Sequence, residues 1–359
     1  MARWINYNVN ERKALIANVA NVKNIEESAA EKDWWITAIL FAIFQTSIKD
    51  YALFKGGTSL SQCWNIINRF SEDVDIVLDR SFFLNVKGLS CAKCENNTQI
   101  RNLRKQSQDF IFGEFKSELL NTLDKIGLEG VRILSENEIP DENGKPKTAP
   151  HDKDPSILFV IYPSLYQSNN SYTAPDVKIE ISCTSMVEPF EEKLISTLVQ
   201  QINAPEYGQN IDNDFTQEIR AISPARTFLE KAFLLCEEFQ KDNPRTLRMS
   251  RHLYDLEKLS QTKYMNIALS DIKHYMAIVR HRERFYHPSY VDYTKLHPNK
   301  ITFIPPSNII DAFRRDYKDM CNSFIYEKNP LDFEELINKI SEIQNAFRKI
   351  DVEAGFINV

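Results

Sequence analysis

Apolar residues recur at helical spacing along the first part of the chain. Residues 11–46 contain two such stripes, which predict two helices. The second stripe, with Trp35 and Ile39, is apolar around much of its circumference, so we expect that helix to be buried beneath a sheet. A further helical pattern covers residues 99–128.

Strand patterns are interleaved with these helices. A short apolar run at residues 51–54 ends in two glycines, and further strand-like runs cover residues 73–78, 129–138, 157–162 and 176–182. Beyond Ile222 the periodicity is helical, and Ser223 with Pro224 suits a helix cap followed by its first residue. We therefore predict an α+β protein with two domains, residues 1–222 and residues 223–359.

Composition narrows the class of protein. The chain has 44 Lys and Arg against 50 Asp and Glu, a net charge of −6, so any RNA contact must use a local basic patch. Six scattered cysteines do not form a disulfide framework, and Cys91-x-x-Cys94 has no second pair with which to bind zinc. No signal peptide or membrane-spanning run is seen, so we expect a cytoplasmic protein that does not use a membrane.

The candidate chemistry lies in two short motifs. Lys55-Gly56-Gly57-Thr58 joins a strand to a helix, where a sharp glycine turn and free main-chain N–H groups suit a phosphate. Asp73 and Asp75 follow on the next strand, and residues two apart on a strand share a face. Paired carboxylates beside a phosphate suit Mg²⁺. Taken alone, a Gly-Gly pair is commonly only a turn, and a D-x-D motif is commonly part of a solvated strand edge. The two motifs together, in this order and at this spacing, favour a nucleotide site.

These motifs resemble a known family. K-G-G-T-x-L at residues 55–60 and R-x-S-x-D-x-D at residues 69–75 are similar to the AbiEii-type nucleotidyltransferase toxins, a branch of the DNA polymerase β-like nucleotidyltransferase superfamily. The resemblance implies a polymerase β-like mixed sheet with flanking helices. It also implies a C-terminal helical domain that completes the active-site cleft.

The resemblance also implies roles for single residues. A third metal-binding carboxylate on a neighbouring strand would be Glu180; the alternative is a half-exposed carboxylate paired with Lys178. Ser71 would lie beside the metal, either binding a phosphate or being itself a target of modification. Lys55, Gly56, Gly57 and Thr58 complete the predicted nucleotide-binding set.

Two C-terminal motifs extend the resemblance. R-T-x-x-E-K at residues 226–231 and R-H-x-x-D at residues 251–255 identify Lys231 and Asp255 as the expected catalytic lysine and aspartate. Without the upstream motifs they would be an ordinary charge pair and an exposed helix aspartate. Lys231 lies at the margin of an apolar stripe, so we expect it to contribute little to the core.

Together these features predict a Mg²⁺-dependent enzyme that transfers a nucleotide from a nucleoside triphosphate to an RNA acceptor, expected to be tRNA. The resemblance implies a toxin with a partner antitoxin. Basic residues interleaved with aromatics suit RNA, a triphosphate or plain solvent exposure; they include Arg245, Arg248, Arg251, Arg280, Arg282, Arg284, Tyr286 and Tyr290. The alternatives are a transferase acting on a small-molecule or protein hydroxyl and a nucleotide-binding module without catalysis.

Overall fold

The computed structural model describes residues 4–140, 144, 149–166, 174–207 and 215–350. The chain forms two compact units. The first contains the described residues up to Cys63 and those from Phe70 to Ala221, and the second contains Trp64–Arg69 and the described residues from Ile222 onward. The short segment Trp64–Arg69 thus belongs to the second unit, although the chain on both sides of it belongs to the first.

A mixed sheet forms the centre of the first unit. Among the described residues its seven strands are β1 (Ala52–Lys55), β2 (Asp73–Leu78), β3 (Arg132–Ser135), β4 (Ser156–Ile161), β5 (Asp176–Ser182), β6 (Phe190–Ile195) and β7 (Gln217–Ile222). Their order is β3-β4-β5-β2-β1-β7-β6. The central strand β2 is antiparallel to β1 and parallel to β5. The predicted α+β class with a mixed sheet is confirmed.

Helices pack around this sheet, as the apolar stripes predict. They are α1 (Val9–Lys23), α2 (Glu27–Ile43), α3 (Gly56–Gln62), α4 (Ser81–Asn85), α5 (Asn97–Phe110), α6 (Lys116–Lys125) and α7 (Leu198–Tyr207). The two helices expected over residues 11–46 are present as α1 and α2. Trp34 and Ile39 on α2 are fully buried, which confirms the prediction of an inner helix. A π-helical turn, Ile111–Phe115, joins α5 to α6.

Sequence patterns missed β6, β7 and α7. The strand β6 reads Phe-Glu-Glu-Lys-Leu-Ile, lies at one edge of the sheet and exposes most of its residues. An edge strand that buries neither face shows no clear alternation of apolar and polar residues, so its sequence resembles a loop.

The second unit is helical among its described residues. Its helices are α8 (Pro224–Glu238), α9 (Ser250–Ser260), α10 (Lys263–Ser270), α11 (Ile272–Phe285), α12 (Ile310–Ser323) and α13 (Phe333–Arg348). The predicted start of α8 is confirmed, because Pro224 is its first residue and Ser223 Oγ accepts a hydrogen bond from Ala225 N at 3.4 Å. Phe228 of α8 and Phe347 of α13 stack in the core. Every helix in the described part of the chain is too short or too polar to cross a bilayer.

One carboxylate in the first unit links three helices. Asp33 of α2 accepts hydrogen bonds from Gln62 Nε2 at the end of α3, at 3.2 Å, and from Leu198 N at the start of α7, at 3.3 Å. Burial against these elements raises the pKa of Asp33 to about 6, because the two hydrogen bonds offset only part of the lost hydration.

Asp33 should therefore make stability depend on pH. A raised carboxyl pKa contributes stability that is complete below the unfolded pKa near 3.8 and is lost as pH rises through about 6. We expect Asp33→Asn, which cannot ionise, to gain unfolding free energy relative to the native chain between about pH 4 and pH 7, by up to about 3 kcal/mol. Urea unfolding across this range measures the difference. The exposed Asp124→Asn on α6 is the control, and an equal trend in both variants would contradict the prediction.

Candidate functional site

The predicted residues of the first unit line up across its sheet. Asp75 on β2 lies opposite Lys55 on β1 and beside Glu180 on β5 in the strand register. Asp73 lies beside Lys178 in the neighbouring row. Directly paired residues share a face of the sheet, so all five side chains leave the same face. The prediction that Asp73 and Asp75 share a strand face is confirmed, with Val74 and Ile76 fully buried on the other face.

Gly56 gives the Asp75 carboxylate its space. The glycine adopts a φ of +80°, and a Cβ placed on it would lie 2.0 Å from Asp75 Oδ2 and 2.8 Å from Asp75 Cγ. Any other residue would meet both backbone strain and a collision with the carboxylate. The motif therefore needs glycine at position 56 for two separate reasons, of which the sequence indicates only the turn.

Thr58 fixes the start of β2. Its hydroxyl is buried, donates to the main-chain oxygen of Asp73 at 2.6 Å and lies 3.0 Å from Ser71 Oγ. These bonds tie α3 to the residues that lead into the D-x-D strand. The Thr58 side chain thus holds protein backbone, and the predicted nucleotide contacts of Thr58 and Ser71 stay predictions.

A lysine compensates the acidic face. Lys178 forms an ion pair with Glu180, two residues along the same strand. Burial lowers the pKa of Lys178, but the charges of Glu180, Asp73 and Asp75 outweigh burial and raise the pKa above its ordinary value. The alternative weighed for Glu180, a strand carboxylate paired with Lys178, is what the structure contains, and its role as a metal ligand stays a prediction.

The donor set suits a hard divalent cation. Two carboxylates on one strand face, whose charges already raise the pKa of the neighbouring Lys178, are oxygen ligands of the kind that Mg²⁺ takes. Across the described ranges no cluster of three or more His, Cys, Asp or Glu side chains is arranged to hold a metal.

Sequence patterns missed the support behind Lys55. Its ammonium donates to Ser185 Oγ at 3.1 Å, and Ser185 Oγ in turn bonds Ser182 Oγ at 3.0 Å. Ser182 Oγ donates to Asp154 Oδ2 at 2.8 Å, and Cys183 N donates to the other oxygen of that carboxylate. This chain of hydrogen bonds anchors Lys55 to the end of β5. The alternating pattern of β5 placed Ser182 on the active face but gave no sign of Asp154 or Ser185.

The predicted residues of the second unit form a buried ion cluster. Lys231 Nζ on α8 lies 2.7 Å from Asp255 Oδ2 on α9. Arg69, from the segment Trp64–Arg69, adds two bonds to the same carboxylate, Nε to Oδ1 and one terminal nitrogen to Oδ2, both at 2.7 Å. The two expected catalytic residues of the second unit, Lys231 and Asp255, are thus in contact, and Arg69 joins them. Arg69 is the first residue of the R-x-S-x-D-x-D motif, but the sequence does not indicate that Asp255 is its partner.

The surroundings of this cluster favour the charged form of Asp255 and disfavour that of Lys231. Burial alone would raise the pKa of Asp255, but Arg69 and Lys231 outweigh it and hold the pKa well below its usual range. Burial lowers the pKa of Lys231; Arg69 and Arg251 lower it further, and Asp255 opposes them. Asp255 is thus a fixed anion, and the cations around it outnumber it.

The expectation that Lys231 contributes little to the core is wrong. Its residue is only 8% exposed and its charge is paired with Asp255, which is fully buried. Removing either partner would leave a buried charge with less compensation, which is costly. The helical stripe placed Lys231 at the margin of α8, but the position of α9 decides its burial.

Two of the basic residues considered for RNA form ion pairs within the chain. Arg282 is buried and donates through Nε to Glu237 Oε1 at 2.7 Å, so its guanidinium supports the fold. Arg245 pairs with Glu238, but its side chain is exposed. Arg280 and Arg284 on α11 are exposed.

Residues 38–339 match the family described as "Nucleotidyl transferase AbiEii toxin, Type IV TA system". The matched range includes every residue named above on the acidic face of the first unit and in the ion cluster of the second unit. A comparison with curated proteins finds no match.

Gly56 offers a direct test of the acidic face. We expect Gly56→Ala to displace Asp75, to abolish divalent-cation binding and to cost more stability than the roughly 1–2 kcal/mol of left-handed strain. The control is Gly88→Ala, which has a φ of +68° but no neighbour within 4 Å of its added methyl group. Manganese binding and urea unfolding measure the two effects. Equal losses in both variants would show that Asp75 does not need the space.

Lys178 should compete with a bound cation. We expect Lys178→Gln to bind Mn²⁺ about tenfold or more tightly, because a positive charge beside the carboxylates is gone. Lys193→Gln is the matched control, since Lys193 also pairs with a glutamate two residues away on a strand, Glu191, at 2.9 Å. Titration calorimetry with Mn²⁺ measures the affinities, and an unchanged affinity in Lys178→Gln would contradict the proposed cation site.

Proposed function

Because the chain belongs to the AbiEii nucleotidyl transferase toxin family, we propose that it transfers a nucleotide from a nucleoside triphosphate to an RNA acceptor. The family resemblance drawn from the motifs is confirmed by this match. The family is described as nucleotidyl transferases that are the toxins of type IV toxin–antitoxin systems. The RNA acceptor, expected to be tRNA, the use of Mg²⁺ and the partner antitoxin are parts of the proposal.

The observation that carries the proposal is the Asp73 and Asp75 pair with Gly56 packed against it. Both carboxylates leave one strand face, and the missing side chain of Gly56 leaves the space that the Asp75 carboxylate occupies. Mg²⁺ held there would neutralise phosphate charge and orient the triphosphate. Lys55, anchored through Ser185, supplies a positive charge in the same row for the β- and γ-phosphates.

The reaction joins the acceptor to the α-phosphate. The acceptor hydroxyl oxygen forms a bond to the α-phosphorus, the bond to the β-phosphate oxygen breaks, pyrophosphate leaves and the hydroxyl proton passes to water. We assign Lys231 to the negative charge that develops on the leaving pyrophosphate, where a fixed cation favours the transition state over the ground state. Asp255 orients Lys231, because both of its oxygens are bound by cations and its side chain is fully buried. A buried, doubly bound carboxylate is a poor general base.

Support for an RNA acceptor comes from the exposed basic residues of α11, Arg280 and Arg284, whose charges suit a phosphate backbone. A small-molecule or protein hydroxyl is the second candidate acceptor. It is favoured by the net charge of −6 and by the burial of Arg282 in an ion pair with Glu237. The family match gives the chain a catalytic role, so a module without catalysis is not retained.

One labelling experiment tests the proposal. The protein is incubated with Mg²⁺, total cellular RNA and each radiolabelled nucleoside triphosphate in turn. We expect label on RNA from at least one triphosphate, and a loss on the order of 100-fold or more in the double variant Asp73→Asn, Asp75→Asn. Asp79→Asn, directly after the same strand, is the control.

The outcomes separate the candidates. Label on protein alone, or pyrophosphate release only when a small-molecule fraction replaces RNA, would support the second acceptor class. RNA labelling that survives in the folded double variant would overturn the assignment of Asp73 and Asp75.

A further inference from the structure

Arg69 holds the Asp255 carboxylate by two points. Its Nε and one terminal nitrogen each lie 2.7 Å from a different oxygen of Asp255. A planar guanidinium that meets both oxygens fixes the orientation of a carboxylate as well as its charge. Arg69 is 5% exposed and Asp255 fully buried, so solvent does not compete for this contact.

The backbone around Arg69 is also held. Asn68 N donates to the Tyr254 hydroxyl at 3.2 Å, and Tyr326 N donates to Asn68 O at 2.8 Å. Arg69 itself forms an isolated β-bridge with Ile325. These bonds attach the segment Trp64–Arg69 to α9 and to the residues that follow α12. The Arg69 side chain is therefore attached to a main chain that is itself held in place, unlike that of an arginine on a flexible surface loop.

Lys231 depends on this arrangement for its position. Of the three N–H donors of a lysine, one is used on Asp255 Oδ2, the oxygen that also accepts from Arg69. If Arg69 were absent, Asp255 could rotate and draw the ammonium group with it. The charge of Lys231 would survive, because Arg69 lowers rather than raises the pKa of Lys231.

We propose that Arg69 is a positioning residue for nucleotidyl transfer, which acts by fixing Asp255 and, through it, the ammonium group of Lys231. The inference rests on the role proposed above for Lys231. Direct binding of a phosphate by Arg69 fits the structure less well, since two of its nitrogens already serve Asp255 in a buried place. Along the chain Arg69 lies four residues before Asp73, so one short motif supplies both the cation-binding strand and the support for the lysine.

A double-mutant cycle tests this route of action. The variants are Arg69→Gln, Asp255→Asn and both together, assayed for nucleotide transfer to RNA. We expect Arg69→Gln to lower kcat on the order of 100-fold, because a small displacement of a catalytic group is enough for such a loss. The KM for the triphosphate should change little. In the Asp255→Asn background, Arg69→Gln should cost nothing further, whereas independent, additive losses would overturn the proposal.

The pH profile adds a readout that a purely structural role would not move. Lys231 faces Asp255, Arg69 and Arg251, with His252 nearby. Loss of Arg69 removes a cation that repels the charged form of Lys231. It also leaves Lys231 without a competitor for the Asp255 carboxylate, and both effects raise the pKa of Lys231. We expect the alkaline limb of kcat to move to higher pH in Arg69→Gln. An alkaline limb that stays in place would overturn the proposal.

A second measurement separates this inference from the proposed function. Competitive labelling of lysines with acetic anhydride, followed by mass spectrometry, reports the pKa and reactivity of Lys231 without any substrate. We expect both to change in Arg69→Gln and to stay native in Arg282→Gln, which removes an equally buried arginine from Glu237. If the native protein labels no RNA but Lys231 responds in this way, the proposed acceptor is wrong and the positioning by Arg69 stands.

Variants of Arg69 that fail to fold would also test the proposal. Arg69→Lys keeps the charge but not the two-point contact, and we expect it to fold and to show part of the kcat loss. If neither Arg69 variant folds while Arg282→Gln does, Arg69 belongs to the core alone and the proposal is overturned.

Discussion

Like charges held side by side must be offset by cations, and this constraint shapes the acidic face of the sheet. Asp73 and Asp75 leave one face of β2, and Glu180 lies beside Asp75 on β5. Lys178 and Lys55 are cations on the same face. Carboxylates grouped in this way suit a bound divalent cation.

The ion cluster of the second unit has the opposite balance. Asp255 is a single buried anion, and Arg69, Lys231 and the nearby Arg251 are cations. Burying charges is costly unless they are compensated, and Asp255 compensates both Arg69 and Lys231. The pyrophosphate that is released from a nucleoside triphosphate is an anion of the kind that basic side chains attract.

Each taken by itself, the acidic face of the first unit and the ion cluster of the second unit suit different chemical groups of a nucleotide. A nucleotide bound with Mg²⁺ presents a divalent cation to carboxylates and phosphate oxygens to basic side chains. Each unit of the chain carries one of these complementary charges, and the segment Trp64–Arg69 connects them in sequence.

Local sequence determined much of this protein. Helical periodicity was sufficient for α2, alternation for β5, and the Ser223 and Pro224 cap for the start of α8, because each depends on neighbours within a few residues. The same local rule put Asp73 and Asp75 on one face. The edge strand β6 was missed, because it buries too little to leave a pattern.

Tertiary structure decided the rest. The register that puts Asp75 between Lys55 and Glu180 joins three strands distant in sequence, and the bond from Arg69 to Asp255 spans 186 residues. The burial of Lys231 follows from where α9 lies, and the need for glycine at position 56 follows from the approach of Asp75. Spacing along a chain fixes which face a side chain leaves, but only packing between distant segments fixes what that side chain meets.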